Sequence, residues 1–414
     1  MDDNEEDGLV GLLEADRAYN DGKVQLESLL GATDALESLI GHLATTPVVT
    51  EGHKAAITVS FENLIGNVGL TVADIIPELE GHESGVVSTE ALGDHLKELW
   101  KRFVALILSV LKSLKALAVK MGTYRGQLRM SAEKLLKISG VRRYVTVKNA
   151  NLELGMEIKS LVVGGSVLND PDSIVRAASA ALEQYVKFTD LYGPGMRAVG
   201  KKFEQALTDN SSYGTAKLSE VSGIFSQMPA DTIASKMKAM VYRDPRFGKR
   251  LTMMAPPILG GWSLFFLTLE QAQRDLAGTN PLAYAQAIRT TGVKFALTNV
   301  NTSSIVRGTV RTAGGAQVEA IVKQVIAILD ALDKFDNTGE IDKIDRQVKA
   351  VTRAGDTFQT RVVAGESSGA DESILRFVRN YAGWAIGPVD QMATNLLTVS
   401  RNLLTYGRKS LSMN

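Results

Sequence analysis

Residues 92–121 have the sequence LGDHLKELWKRFVALILSVLKSLKALAVKM and carry the strongest helical pattern in the chain. Apolar residues recur there at alternating steps of three and four, which places them on one face of an α-helix: Leu92, Leu96, Leu99, Phe103, Leu106, Val110, Leu114, Leu117 and Met121. The pattern predicts a long basic amphipathic helix from Ala91 to about Ser139. Such a helix is usually buried in a bundle or between subunits, so we predict self-association through 92–121. A membrane-surface or DNA-facing role of its basic face is the alternative.

The start of this helix coincides with a change of charge. Residues 1–90 hold 18 Asp/Glu and 3 Lys/Arg, a net charge of −15, whereas residues 91–414 hold 43 Lys/Arg and 28 Asp/Glu, a net charge of +15. Val68–Glu90 is rich in Gly, Pro, Ser and acid, and we interpret it as a linker. An acidic segment of this kind can shield a basic one from nucleic acid until it is removed.

The composition excludes several classes of protein. With 45% hydrophobic and 22% charged residues, the 414-residue chain has an ordinary globular composition and room for several domains. Cysteine is absent, which rules out disulfides, thiolate metal sites and cysteine nucleophiles and fits a reducing interior. The N-terminal MDDNEED has the wrong charge for a signal peptide, and no apolar run reaches the ~20 residues that span a bilayer. We expect a soluble protein.

Periodicity predicts an α+β, predominantly helical fold in which a small mixed sheet is packed by helices. We divide the chain into an acidic helical arm (1–90), the long basic amphipathic helix (91–140), a mixed α+β region (141–300) and a helical C-terminal region (301–414). The predicted strands are Arg143–Lys148, Glu157–Val163, Arg250–Met254, Trp262–Leu269 and Val293–Leu297. The predicted helices of the body are Ser173–Tyr192, Met196–Leu207, Asp231–Val241, Val318–Phe335, Asp342–Arg361 and Asp371–Tyr406, the last with a weak point at Gly387-Pro388.

Three catalytic or ligand-binding motifs are matched only in part. Gly195–Lys202 lacks the Ser/Thr that ends a phosphate-binding loop, and the nucleophile-elbow match at Gly365–Gly369 has no later histidine to act as base. In Asp333–Glu340, two ligand positions of a calcium loop fall on Lys334 and Thr338. We therefore predict no catalytic, cofactor or metal site, and a protein that is not an enzyme.

Basic residues on the long helix, or interleaved with aromatics, are the candidate contacts to nucleic acid, because cations meet phosphates while aromatic rings stack on bases. A solvated face beside core aromatics is the alternative. The candidates are Lys101, Arg102, Lys112, Lys115, Arg142, Arg143, Arg246, Lys249, Arg250, Arg408 and Lys409.

The order of features along the first 140 residues resembles the internal head, or prohead-core, proteins of large tailed bacteriophages. The phrases Leu26-Glu-Ser-Leu29 and Leu36-Glu-Ser-Leu39 precede Val87-Ser-Thr-Glu-Ala91, which is followed by the Trp100-Lys-Arg-Phe103 helix and by Leu128–Leu136. The resemblance implies a virion structural protein that lies in the host cytoplasm during assembly and then inside the capsid, packed with double-stranded DNA and other head or core proteins. Ejection with the genome is a further option that the resemblance leaves open. It also implies a propeptide that a prohead protease removes, cutting after Glu in a small-x-Glu or Leu/Ile-x-Glu context.

Several glutamates in the arm fit these two cleavage contexts. Glu37, Glu62, Glu83 and Glu90 follow the small-x-Glu form, and Glu14 follows the other. We prefer cleavage between Glu90 and Ala91, because that bond lies at the boundary of charge and of turn-rich sequence. The predicted function is thus a non-enzymatic internal head protein, processed by the prohead protease and packaged with DNA. A membrane-active ejection protein, or another virion assembly protein, is the alternative.

Overall fold

The computed structural model describes residues 124–144, 147, 150–227, 230–243, 247, 251–298, 305, 307–363 and 368–413. The chain divides into two compact units, residues 1–126 and 127–414. The acidic arm, the cleavage candidates and the 92–121 pattern lie outside the described residues. The description that follows therefore concerns the second unit.

This unit is predominantly helical, with small antiparallel sheets packed by helices, which confirms the predicted fold class. Helix α1 covers residues 124–141, and it is followed by α2 (Pro171–Thr208), α3 (Gly214–Ser226), α4 (Ala230–Lys236), α5 (Gln271–Arg274), α6 (Pro281–Arg289), α7 (Gly315–Asn337), α8 (Glu340–Val363) and α9 (Gly369–Met413). The strands are β1 (Asn151–Leu154), β2 (Val162–Val163), β3 (Ser166–Val167), β4 (Met240–Val241), β5 (Leu251–Met254), β6 (Trp262–Thr268), β7 (Gly292–Leu297) and β8 (Gly308–Arg311).

Four long helices, α2, α7, α8 and α9, pack together and form the main core. Each buries an apolar stripe, which in α7 consists of Val318, Ile321, Val322, Val325, Ile328, Leu329 and Leu332. These residues recur at helical spacing, so one face of the helix is removed from water. Helix α1 also buries one apolar face, which consists of Leu128, Ala132 and Leu135.

Helix α2 is longer than its sequence predicts. The carboxylate of Asp170 caps its first turn by accepting from the Ser173 backbone N–H at 2.9 Å, as the Asp-Pro-Asp start indicates. The predicted stop at Gly193-Pro194-Gly195 is wrong, because the helix runs unbroken to Thr208. Glycine and proline cost a helix about 1 and 3 kcal/mol, but Gly193 lies buried against α8, and packing of the two helices outweighs that cost.

Helix α9 likewise continues through its predicted weak point at Gly387-Pro388. Pro388 has no N–H, so the carbonyl of Trp384, four residues earlier, loses its usual helical donor. The hydroxyl of Tyr192 on α2 donates to that carbonyl instead. A side chain from the neighbouring helix thus replaces the hydrogen bond that the proline removes.

The largest sheet has the antiparallel order β4-β5-β6-β7. Its register pairs Leu251 with Thr268 and Trp262 with Leu297, and nearly every residue of β6 is buried. A strand buried on both faces has a continuous apolar sequence, which is why Trp262–Leu269 was predicted well. Strands β1 and β8 pair separately, with Asn151 opposite Arg311.

Three other predicted elements are wrong. Arg143 and Tyr144 lie in a turn, and most of Glu157–Val163 is a 3-10 helix, Met156–Leu161. The buried apolar residues there, Ile158 and Leu161, are three positions apart, which is the period of a 3-10 helix and not of a strand. The helix predicted to reach Val241 ends at Lys236, after which Lys238 adopts the left-handed φ of 55° and the chain enters β4.

Two of the partial motifs lie in ordinary structural positions. Gly195–Lys202 is part of α2, so its backbone amides are engaged in a helix and form no loop. Asp333–Glu340 spans the end of α7 and the start of α8, and Gly339 takes a φ of 64° in the short turn between the two helices. Most of the Gly365–Gly369 match falls outside the described residues.

Candidate nucleic-acid interface

Four of the eleven predicted DNA contacts belong to the described residues: Arg142, Arg143, Arg408 and Lys409. The remaining seven, Lys101, Arg102, Lys112, Lys115, Arg246, Lys249 and Arg250, lie outside that part of the chain. Only the first four can therefore be placed relative to one another.

These four residues meet where α1 and α9 end, at a surface that we call the C-terminal corner. Arg142 donates from Nη1 to the Leu411 carbonyl at 2.6 Å, which ties the end of α1 to the last turn of α9. The helices come close because Gly407 has no side chain; a Cβ there would lie 3.1 Å from both Leu135 Cδ2 and Val318 Cγ1. Residues separated by more than 260 positions thus form one basic corner.

Acidic neighbours neutralise part of the C-terminal corner. Lys409 Nζ lies 3.0 Å from Glu157 Oε1, and Arg143 Nε lies 3.9 Å from Glu319 Oε2. Burial opposes ionisation of Glu157, but backbone hydrogen bonds and Lys409 outweigh it and hold the pKa of that carboxyl below its ordinary value. Arg408 is exposed and has no acidic partner among the described residues. The corner therefore carries a smaller excess of positive charge than its sequence indicates.

A second basic surface, which sequence reasoning missed, is a groove of about 550 Å³ between α2 and α8. Its basic lining consists of Arg197 and Lys201 from α2 and of Lys343 and Arg346 from α8. We call it the α2/α8 groove. None of these four residues is adjacent to an aromatic residue in the sequence, so the basic-aromatic pattern does not include them. The sequence signal that could have indicated this surface is helical spacing. Arg197 and Lys201 are four residues apart and Lys343 and Arg346 are three apart, which places each pair on one face of its helix.

Ion pairs and a close helix contact fix the inner part of the α2/α8 groove. Glu340 binds Arg197 Nη2 through Oε2 at 2.7 Å and Lys343 Nζ through Oε1 at 2.8 Å. Gln347 Nε2 donates to Glu204 Oε2 at 2.9 Å, which links the two helices again. Side chains on opposite walls are therefore held in register.

Beneath this groove, α2 also contacts α9. Tyr381 Oη donates to the Met196 carbonyl at 2.8 Å, and the ring fills the space left by Gly200. Burial raises the pKa of Tyr381, so the hydroxyl stays protonated and remains a donor. Helix α2 is thus held against α9 in the packed core.

One acid of α9 is perturbed by burial alone. Asp390 is partly buried two residues after Pro388, and burial raises the pKa of its carboxyl from 3.8 to about 7. The folded state therefore favours the protonated form. The stabilisation this gives is complete below the unfolded pKa near 4, and it is lost as the pH rises through about 7.

We expect Asp390→Asn to stabilise the protein at pH 8 and to have little effect at pH 4, because the amide is never charged. For a fully buried carboxyl, the pKa shift would correspond to about 4 kcal/mol in the free energy of unfolding. Because the side chain is partly exposed, we expect a gain of about 2 kcal/mol. Urea unfolding at both pH values measures it. The same substitution at exposed Asp190 of α2 is the control and should change little. An equal effect of Asp390→Asn at both pH values would contradict the assignment.

Two other kinds of functional feature are not found among the described residues. Within them, no group of three or more His, Cys, Asp or Glu residues could hold a metal ion. No helix in the same part of the chain is long and apolar enough to cross a membrane. The basic surfaces are thus the features there that bear most directly on a binding role.

A comparison with known protein families gives a match. A family model described as phiKZ-like phage internal head proteins matches residues 4–409, which is nearly the whole chain. No curated protein and no solved structure matches it. The family match covers the acidic arm as well as the basic body.

Proposed function

Because the chain belongs to the phiKZ-like phage internal head proteins, we propose that its basic body contacts packaged double-stranded DNA once the acidic arm has been removed. Membership makes it a structural protein of the virion, located inside the head and associated with other head components. The proposal adds a partner, the genome, and a maturation step. The family description is structural and names no reaction.

The observation that carries the proposal is the division of charge along the chain. Residues 127–414, the second compact unit, hold 36 Lys/Arg and 26 Asp/Glu, a net charge of +10, against −15 for residues 1–90. A protein confined with a genome at high concentration meets phosphates on every side. A positive body gains from releasing the counterions of DNA, and a neutral chain gains little.

Cleavage is the step that changes one state into the other. The bond between Glu90 and Ala91 remains our preferred site, with Glu37 or Glu62 as earlier trims and Glu14 as a further candidate. Cleavage there removes a segment with a net charge of −15 and leaves the compact unit 127–414 intact. Before the cut, the arm can support assembly with core proteins without attracting DNA into the prohead.

We expect the protein from mature particles to begin at Ala91, and the protein from protease-deficient proheads to retain residues 1–90. Intact mass and N-terminal peptide mapping of both samples measure this directly. The DNA contact is tested on the same particles by protein–DNA crosslinking, with emptied heads as the control. Nucleotide-bearing peptides should come from residues 91–414. An uncut chain in mature heads would overturn the maturation step, and a lack of crosslinks in full heads would overturn the DNA contact.

A further inference from the structure

We propose that the α2/α8 groove binds phosphate groups of the DNA backbone, independently of base sequence. This inference rests on the proposed DNA contact and assigns it to a defined surface. The site is formed by Arg197 and Lys201 on one wall and by Lys343 and Arg346 on the other.

The two walls carry cations at the spacing of helix turns. Arg197 and Lys201 are four residues apart on α2, about 6 Å along the axis, and Lys343 and Arg346 are three residues apart on α8. The two cations of each pair therefore lie one above the other along the helix axis. A phosphate held between the walls would meet a cation from each side.

Two of the four cations are available to a ligand without breaking an existing ion pair. Lys201 and Arg346 are exposed, and neither has an acidic partner among the described residues. Arg197 and Lys343 share Glu340. Counting Glu340 and Glu204 against the four cations leaves the groove with a net charge of +2.

The two walls of the groove are held together before any ligand arrives. Close contact of α2 with α8 and α9 at Gly200 prevents the walls from separating, and Glu340 holds the guanidinium of Arg197, whose side chain is only 29% exposed. A preorganised arginine loses less entropy when it binds a phosphate. Arg and Lys recognise phosphate through charge-assisted hydrogen bonds, which carry no base information.

The C-terminal corner is less suited to this role. Its Lys409 and Arg143 already face Glu157 and Glu319, and Arg142 is bonded to a backbone carbonyl. The α2/α8 groove offers a concave surface with two available cations, so we assign the stronger phosphate contacts to it.

The test uses residues 91–414, which retain the entire compact unit 127–414. The groove variant is Lys201→Gln with Arg346→Gln. The matched control is Lys236→Gln with Lys334→Gln, two exposed lysines on α4 and α7. Both variants lose two positive charges, and circular dichroism and thermal unfolding verify that both fold like the parent protein. Binding to a random-sequence duplex is followed by fluorescence anisotropy from about 50 to 200 mM salt.

We expect the groove variant to lose about tenfold in affinity at the lower salt, and the slope of log K against log salt to shallow by about 2, whereas the control loses at most about threefold. Glu340→Gln should act in the opposite sense and strengthen binding, since it removes a negative charge from the groove. Equal losses in the groove and control variants would overturn the groove while leaving DNA contact by net charge. If the parent 91–414 binds no duplex at low salt, the proposed DNA contact itself falls.

Discussion

Gly200→Ala is expected to lower the free energy of unfolding by about 3 kcal/mol, although the same substitution ordinarily stabilises a helix. A Cβ at position 200 would lie 1.9 Å from Tyr381 Oη, 2.5 Å from Tyr381 Cζ and 2.7 Å from Gln347 Cγ. All three distances are far below van der Waals contact. The methyl group must therefore displace the buried tyrosine and break its hydrogen bond to the Met196 carbonyl.

The sign of this effect comes from packing and not from helix propensity. Alanine is better than glycine in a helix by about 1 kcal/mol, so propensity alone predicts a gain. Overpacking typically costs about 1–3 kcal/mol, and an unpaired buried hydrogen-bonding group costs a similar amount. The two costs together exceed the gain from propensity. Because Gly200 lies where α2, α8 and α9 meet, the loss affects the whole core.

Gly223→Ala in α3 is the matched control, because no atom lies within 4 Å of the position that a Cβ would take there. It should stabilise the protein by about 0.5–1 kcal/mol. Urea unfolding of both variants measures the contrast. Tyr381→Phe combined with Gly200→Ala should be less destabilising than the sum of the single changes, since removing the hydroxyl relieves the shortest contact. If Gly200→Ala were to stabilise as Gly223→Ala does, the close approach of the three helices would be wrong.

Local sequence signals predicted the helices that bury one apolar stripe. Val318–Phe335 and Asp342–Arg361 lie within α7 and α8, and the Asp170 start of α2 is confirmed by its cap. In these segments the hydrophobic period, the capping residue and the tertiary environment all favour the same structure. Strand β6 was equally predictable, because its apolar run matches burial on both faces.

The errors arise where a distant element overrides the local signal. Gly193-Pro194-Gly195 is a sound helix stop in isolation, yet α8 packs on it and the helix continues. Pro388 is tolerated in α9 because Tyr192, nearly 200 residues earlier, supplies the missing donor. Sequence periodicity contains no information on such partners, so breaks of this kind can be predicted only with the tertiary fold.

In the candidate sites, too, local sequence identified individual residues but not their distant partners. Arg142, Arg143, Arg408 and Lys409 were identified from sequence, but their convergence at the C-terminal corner and their acidic partners were not. The α2/α8 groove escaped because Arg197 and Arg346 are about 150 residues apart. Charge asymmetry along the chain, in contrast, needs no structure. It is the property from which the proposed function follows.

That asymmetry predicts the second large effect, on DNA binding in solution. At about 50 mM salt, residues 91–414 should bind duplex DNA at least about a hundredfold more tightly than the full chain, because their net charge is +15 and that of the full chain is 0. If the body makes about six phosphate contacts, its affinity should fall by about 10³ between 50 and 200 mM salt. The two forms should become similar near 1 M, where the Debye length is about 3 Å.

The arm can inhibit binding through its charge or by covering the surface, and a variant separates these causes. Replacing the 18 Asp/Glu of residues 1–90 with Asn and Gln keeps the length of the arm and removes its negative charge. If charge is the cause, this full-length variant should bind duplex nearly as tightly as residues 91–414, and the unmodified arm added as a separate peptide should weaken binding at low salt. Inhibition that persists in the neutral arm would show steric cover instead. The proposal that the −15 charge of the arm prevents DNA binding would then be wrong, even if cleavage after Glu90 were found.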